Sequence, residues 1–179
     1  MDTIISTLYL LLPGAVANSM PIVVRPYFTS LAIPIDGRRV FRGKRIFGDH
    51  KTVRGYVFGI LGAIIVVLGQ AVLMRVEAFE NISLLDYSEQ PLLIGFLIGF
   101  GVLAGDSVKS FFKRQRGIAP GVSWKPWDQL DSVIGGVVAL SFTHVLPWQV
   151  YVLIALLGFL LHIATRRIGY WIGVNKTQW

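Results

Sequence analysis

Residues 92–114 read LLIGFLIGFGVLAGDSVKSFFKR, an apolar run that passes directly into charged and hydroxyl side chains. Crossing the hydrocarbon core takes about 20 mostly apolar residues, and this run is uninterrupted only as far as Ala104. A spanning helix must therefore carry Asp106 to membrane depth or to its edge, where a carboxylate is costly. The stretch predicts a membrane helix that also contributes to a polar site.

The polar end of this helix forms the first candidate cluster. One helix face would carry four side chains at i, i+3, i+4 and i+7, namely Asp106, Lys109, Ser110 and Lys113. A carboxylate, a hydroxyl and two ammonium groups in one stripe suit a metal-bound phosphate. The alternative is a helix end whose lysines snorkel to the headgroups and whose Asp106 merely pairs with Lys109. That alternative gives no reason for the depth of the carboxylate.

The composition of the whole chain also indicates a membrane protein. Of 179 residues, 54% are hydrophobic and 15% are charged, whereas a soluble domain has roughly 25% charged residues. Lys and Arg number 17 against 10 Asp and Glu. These cations fall between apolar blocks, so anionic lipid or phosphate groups are the expected partners and nucleic acid is not. The chain has no cysteine, which excludes disulfides, thiolate metal sites and cysteine nucleophiles.

Five stretches approach the length of a membrane span, at residues 3–24, 56–74, 92–104 with its continuation, 130–146 and 148–168. The predicted fold is an all-α integral membrane protein, a single polytopic domain over residues 1–179 with about five transmembrane helices.

Basic residues collect in two long connections, at about 25–55 and 105–129, and near the C-terminus at Arg166, Arg167 and Lys176. The positive-inside rule places these segments in the cytoplasm, with the N-terminus outside the cell membrane and the C-terminus inside. Both connections exceed ordinary linkers in length, so the function is expected there.

A second cluster precedes the fourth apolar run. Asp128 and Asp131 are three residues apart, so on a helix their Cβ atoms lie about 5–6 Å from each other. Two such carboxylates suit one hard cation, and Mg²⁺ commonly takes one or two carboxylates together with water and substrate phosphates. Helix capping is the alternative, because aspartate near a helix N-terminus complements the helix dipole. Both interpretations stay open at this stage.

A third cluster, GDHKTVRG at residues 48–55, lies just ahead of the second span. Lys51 and Arg54, before a helix that Thr52 can cap, would hold phosphate with their side chains and with free backbone N–H groups. Asn18 closes the first span, where it is a candidate for hydrogen bonding to a base or a phosphate, or else marks a helix-end kink.

Three acidic side chains surrounded by cations indicate a Mg²⁺-dependent reaction at phosphorus. A polyphosphate substrate must be neutralised and aligned, which metal ions and Lys or Arg side chains do. If the nucleophile is a phosphate monoester, its second pKa of about 6 leaves it largely ionised at neutral pH. No general base is then required.

Three short motifs resemble those of the phosphatidate cytidylyltransferases, the CDP-diacylglycerol synthases. They are Lys51-Thr52-x-x-Gly55, then Gly105-Asp106 with Ser110-x-x-Lys113-Arg114, and finally Asp128-x-x-Asp131-Ser132. The whole chain looks most like the archaeal branch of that family, the CDP-archaeol synthases. It departs from the bacterial and eukaryotic pattern over residues 116–126, and Gln129 replaces the arginine of the last motif.

The resemblance implies transfer of CMP from CTP to an isoprenoid ether lipid phosphate, 2,3-bis-O-geranylgeranylglycerol phosphate, with release of pyrophosphate. It implies that Asp128 and Asp131 hold Mg²⁺, with Asp106 as a further ligand, and that these three and Lys113 are catalytic. The nucleotide- and phosphate-binding residues expected from the clusters and the resemblance are Asn18, Lys51, Thr52, Arg54, Lys109, Ser110, Lys113 and Arg114. An apolar groove between spans would take the isoprenoid chains.

Two alternatives stay open. A CDP-alcohol phosphotransferase would consume a CDP-lipid, but its Gly-x-x-x-Asp-x-x-x-Asp motif is absent from this chain. A non-enzymatic transporter or phosphate-binding protein would line a polar path across the membrane, whereas the polar groups here collect on one side. The expected partners are CTP, the ether lipid phosphate and membrane lipid, and the chain is compatible with a homodimer.

Overall fold

The computed structural model of the protein describes residues 3–120 and 122–171; Lys176 lies outside this range. The helices are α1 (Thr3–Val23), α2 (Val53–Leu73), the single turn α3 (Glu77–Glu80), α4 (Pro91–Gln115), α5 (Trp127–Leu140) and α6 (Trp148–Trp171). Among the described residues, α1, α2, α4 and the first 18 residues of α6 are long and apolar enough to cross a membrane. The predicted fold class, an all-α integral membrane protein, is confirmed.

The bounds predicted for the fourth span, 130–146, are wrong. Helix α5 has only 14 residues and ends at Leu140, so it is about 21 Å long, shorter than a hydrocarbon core of about 30 Å. The Thr143 hydroxyl donates to the Leu140 carbonyl oxygen at 3.2 Å, and Pro147 disfavours helical backbone at the residue before it. The connection to α6 therefore covers residues 141–147, whereas the predicted spans leave only residue 147 between them.

The two basic connections are shorter than expected. Helix α4 continues to Gln115 and α2 begins at Val53. The connections between the α-helices are therefore residues 24–52, which include a short 3-10 helix at Thr29–Leu31, and the described part of residues 116–126. The polar series that begins at Asp106 is therefore helical, as its spacing predicts.

A small antiparallel hairpin interrupts the first connection. Strands β1 (Val40–Phe41) and β2 (Lys44–Arg45) pair across a tip at which Arg42 and Gly43 have positive φ. Lys44 Nζ donates to the Gln115 carbonyl oxygen at 2.7 Å, and the rings of Phe41 and Phe111 lie 5.9 Å apart. The hairpin is thereby fixed to the end of α4.

Helices α4 and α5 approach each other at backbone distance. A Cβ atom at Gly105 would overlap the carbonyl oxygen of Asp131, and one at Gly135 would overlap the carbonyl oxygen of Gly101. Membrane helices use such small residues to pack closely, because lipid supplies no hydrophobic force between them. This contact places the polar part of α4 directly against the first turns of α5.

The helices alternate in direction, so the C-terminal parts of α1 and α4 meet the N-terminal parts of α2 and α5. We call this the polar end of the bundle, since Asp106, Lys109, Asp128 and Asp131 lie there. In the middle of the bundle the buried side chains are apolar and include Ala17, Ala63, Val67, Ile98 and Val102, whereas Ser6, Thr7 and Gln70 are buried toward the opposite end.

Candidate active site

Four charged side chains from α4 and α5 meet at the polar end. Lys109 Nζ lies 3.1 Å from Asp106 Oδ1, 3.0 Å from Asp128 Oδ1 and 2.7 Å from Asp131 Oδ2. These three carboxylates, the carboxylate cluster, therefore share one ammonium group. Their side chains are 21%, 8% and 5% exposed, respectively, so the cluster is open mainly on the side of Asp106.

Two further lysines contact the cluster from outside. Lys51, which precedes α2, forms an ion pair with Asp106. Lys113 Nζ lies 3.1 Å from Asp128 Oδ1 and donates to the Val122 carbonyl oxygen at 2.6 Å. Three lysines thus face three carboxylates, and their formal charges cancel.

The two aspartates of α5 have different surroundings. Asp128 Oδ2 accepts a hydrogen bond from the Trp124 amide at 2.6 Å, so Asp128 binds the preceding connection in addition to the lysines. Asp131 Oδ1 accepts from the Ser132 amide at 2.7 Å. Asp131 Oδ2 is buried and, within the described part of the chain, accepts no hydrogen bond of good geometry despite the nearby Lys109 charge. The capping alternative therefore does not account for Asp131.

The carboxylate oxygens of the cluster are suitable ligands for a hard divalent cation. Hard cations take carboxylate oxygens, and here three carboxylates surround one positively charged atom, with the buried Asp131 Oδ2 at 2.7 Å from it. Within residues 3–120 and 122–171, no three His, Cys, Asp or Glu side chains are already spaced as metal ligands. In the carboxylate cluster, the Lys109 ammonium lies between the acids. The assignment of Asp106, Asp128 and Asp131 as metal ligands stays a prediction.

The backbone on either side of Lys51 is held by the first connection. The Ile35 amide donates to the Lys51 carbonyl oxygen at 2.9 Å, and the Val53 amide donates to the Ile33 carbonyl oxygen at 2.9 Å. Thr52 Oγ1 accepts from the Gly55 amide at 3.2 Å. The prediction that Thr52 caps α2 is thereby confirmed. Its hydroxyl keeps an O–H group that can donate to a phosphate, so its role in phosphate binding stays a prediction.

Sequence reasoning missed Asp36, which organises this connection. Its buried carboxylate accepts hydrogen bonds from the backbone amides of Arg38, Phe47 and Gly48 at 2.9–3.1 Å and from the Arg45 guanidinium at 3.0 Å. Burial raises the pKa of the Asp36 carboxyl, but the hydrogen bonds from Phe47, Arg45 and Gly48 outweigh it and lower the pKa to about 2. Asp36-Gly37 ahead of a basic run was the available signal, since Asp-Gly marks a turn.

We predict that Asp36→Asn loosens the first connection. The amide cannot accept all four hydrogen bonds, so hydrogen exchange at the Phe47 and Gly48 amides should accelerate about tenfold or more at pH 7. The folded pKa of about 2 lies below the ordinary value of about 3.9. The stabilisation is therefore complete above pH 4 and is lost as the pH falls towards 2. A difference in exchange rate between variant and wild type that stays undiminished as the pH falls below 2 would contradict this assignment.

The other predicted residues lie around the cluster without entering it. Arg54 is buried and donates to the Tyr27 carbonyl oxygen at 2.6 Å. Ser110 Oγ donates to the Asp106 carbonyl oxygen of its own helix at 2.9 Å. Arg114 has a buried Nε without a hydrogen-bond partner in the described chain. Neither arginine pairs with an acidic side chain there, so their roles toward phosphate stay predictions.

An apolar cleft of about 110 Å³ runs between α1, α4, α5 and α6. Its walls are mostly small or aliphatic, and its polar lining comes from Asn18, Ser19, Gln129, Ser132, His162 and Thr165. Ser132 Oγ donates to Asn18 Oδ1 at 3.3 Å. Gln129 and Ser132 each follow an aspartate of the carboxylate cluster in the chain. The cleft therefore ends beside that cluster.

Comparisons with known proteins show the family of this chain. A family model described as CarS-like: CDP-archaeol synthase matches residues 1–179. A protein of Methanocaldococcus jannaschii named CDP-archaeol synthase is 30% identical over 178 residues, covering 97% of this chain and 96% of its own. One of Methanosphaerula palustris with the same name is 40% identical over 153 residues, covering 82% of this chain and 89% of its own.

The fold has a counterpart among solved structures. A chain described as an intramembrane enzyme for archaeal membrane lipids biosynthesis superposes with a TM-score of 0.71 and 28% identity, covering 88% of this chain and 90% of its own. Motifs, family match and fold together lead to one conclusion: this chain belongs to the CDP-archaeol synthase family.

Proposed function

We propose that this protein transfers CMP from CTP to an isoprenoid ether lipid phosphate and so forms a CDP-lipid and pyrophosphate. The observation that carries the proposal is the position of the carboxylate cluster and its three lysines beside an apolar cleft. A reaction between a water-soluble nucleotide and a lipid phosphate needs a charged site that borders an apolar one. Belonging to the CDP-archaeol synthase family supports the same assignment.

In the proposed reaction, an oxygen of the lipid phosphate attacks the α-phosphorus of CTP. A new P–O bond forms, the bond from the α-phosphorus to the bridging oxygen breaks, and pyrophosphate leaves with that electron pair. Lys51, Lys109 and Lys113 neutralise the phosphate oxygens and align them. The attacking monoester is largely ionised at neutral pH because its second pKa is about 6, so no residue has to remove a proton.

Asp106, Asp128 and Asp131 would hold Mg²⁺ in this proposal. When bound, the ion supplies charge neutralisation and polarisation of the phosphoryl oxygens. Asp131 Oδ2 is the best-suited ligand atom for the ion, because it is buried and accepts no hydrogen bond of good geometry from the described residues. The isoprenoid chains would lie in the apolar cleft, with the glycerol end toward Asn18, Gln129 and Ser132.

The proposed orientation puts the polar end at the cytoplasmic face of the cell membrane, where CTP is made. The N-terminus of α1 then lies outside and the C-terminal part of α6 inside. The positive-inside rule supports this choice, because both basic connections, residues 24–52 and the described part of residues 116–126, lie at the polar end. The buried apolar side chains in the middle of the bundle, among them Ala17, Ala63 and Ile98, count against a transporter that would need a polar path.

The direct test is an assay of purified protein in detergent with Mg²⁺, labelled CTP and either the geranylgeranyl ether phosphate or a phosphatidate. CDP-lipid and pyrophosphate should appear in equal amounts with the ether lipid. Product with both acceptors would support CMP transfer to a lipid phosphate and show that the enzyme accepts ester lipids as well as ether lipids. No product with either, from folded protein that binds CTP, would overturn the proposal in favour of a CDP-alcohol phosphotransferase or a binding protein.

A further inference from the structure

We propose that Lys109 is a built-in counter-ion of the carboxylate cluster, which a divalent cation must displace before the site becomes competent. In this view the displaced ammonium moves to the phosphates of the nucleotide, so Lys109 makes cation binding depend on nucleotide binding. The inference rests on the proposed function, because it takes Asp106, Asp128 and Asp131 as the cation ligands.

The geometry distinguishes Lys109 from the other lysines of the site. Its Nζ atom lies within 3.1 Å of an oxygen of each of the three carboxylates. Lys51 pairs with Asp106 alone and Lys113 with Asp128 alone. Among the described residues, only Lys109 therefore occupies the point on which all three acids converge. A cation bound by these acids needs that same point.

Charge balance makes the displacement costly without a nucleotide. The three lysines cancel the three carboxylates formally, and the side chain of Lys109 is only 14% exposed. A divalent cation that enters alone leaves two excess positive charges in a largely buried site, and buried unpaired charge is strongly unfavourable. Nucleotide phosphates remove that excess and give Lys109 a new partner. Binding of cation and nucleotide is then coupled, and each must strengthen the other by the same factor.

The side chain and its position allow such a movement. Lysine carries a compact charge on a flexible four-carbon stem, and Lys109 is one helical turn from Asp106, the most exposed acid of the cluster. In contrast, Lys113 is fixed further by its hydrogen bond to the Val122 carbonyl oxygen. Lys109 can therefore turn toward the open side of the site while Lys113 stays on Asp128.

The test is Mn²⁺ binding to purified protein in detergent, measured by the electron paramagnetic resonance signal of free Mn²⁺ without lipid acceptor. Mn²⁺ alone should bind Lys109→Met about tenfold or more tightly than wild type. The gain in Mn²⁺ affinity on adding CTP should shrink by the same factor. The unfolding temperature of Lys109→Met should also rise more than that of wild type when Mn²⁺ is added alone.

The matched control is Lys113→Met, which removes the same charge from a lysine that contacts one carboxylate. It should raise the affinity for Mn²⁺ far less. An equal rise in both variants, or none in Lys109→Met, would overturn the inference. Lys109→Gln tests the same point if the methionine variant does not fold, and it should shift Mn²⁺ affinity in the same direction. Wild type that binds neither Mn²⁺ nor CTP would instead refute the proposed function.

Discussion

Asp131→Asn should lower the rate of CDP-lipid formation by at least about a hundredfold and leave the protein folded. The amide oxygen would keep the hydrogen bond from the Ser132 amide, which Asp131 Oδ1 now accepts at 2.7 Å. The NH₂ group would then take the place of Oδ2 and face the Lys109 ammonium, now 2.7 Å away. The variant would thus replace the buried negative charge of Asp131 with an N–H hydrogen-bond donor, which repels the Lys109 ammonium.

The measurement is turnover of labelled CTP with the ether lipid phosphate, together with the unfolding temperature in detergent. Asp49→Asn is the matched control, since Asp49 is 70% exposed and pairs only with Arg45 among the described residues. It should retain wild-type turnover. Normal turnover of Asp131→Asn would remove this residue from the active site, and with it the role assigned to the carboxylate cluster.

Gly105→Ala should have a comparable effect on activity through a different cause. The added Cβ would overlap the carbonyl oxygen of Asp131, which belongs to the backbone of α5 and cannot rotate away. Helices α4 and α5 would have to separate, which should cost about 3 kcal/mol or more of stability. Asp106 and Lys109 on α4 would then lose their positions relative to Asp131, so turnover should also fall by at least about a hundredfold.

Gly69→Ala in α2 is the control for this second prediction. No atom lies within 4 Å of the position that its Cβ would take, and alanine favours a helix over glycine by about 1 kcal/mol. This variant should therefore unfold at the same temperature as wild type or slightly higher. Full activity and unchanged stability of Gly105→Ala would show that α4 and α5 do not pack at backbone distance.

Local patterns in the sequence predicted what depends on neighbours along the chain. Hydropathy predicted the long helices, and the i, i+3, i+4, i+7 series correctly placed Asp106, Lys109 and Lys113 on one helix face toward their partners. The same logic failed for α5, because hydropathy does not register where hydroxyl groups and Pro147 end a helix. Residues 141–146 are apolar enough to extend the span in sequence but not helical in the structure.

Contacts between distant segments could not be predicted in this way. The Lys51–Asp106 pair joins residues 55 positions apart, and the convergence on Lys109 depends on the glycine contact between α4 and α5. Asp36 was overlooked because its partners are mostly backbone amides, which leave no mark in the sequence. From a single sequence, the charged side chains of a site can be predicted more readily than the contacts between them.

The short helix α5 has a consequence for the surrounding lipid. At about 21 Å it is roughly 9 Å shorter than an average hydrocarbon core, a difference that a bilayer meets by thinning locally at a modest cost per ångström. Headgroups beside α5 would be drawn inward, toward the depth at which Asp131 lies. Hydrophobic mismatch would thus help a lipid phosphate reach the carboxylates, and bilayer thickness would become a determinant of the reaction rate.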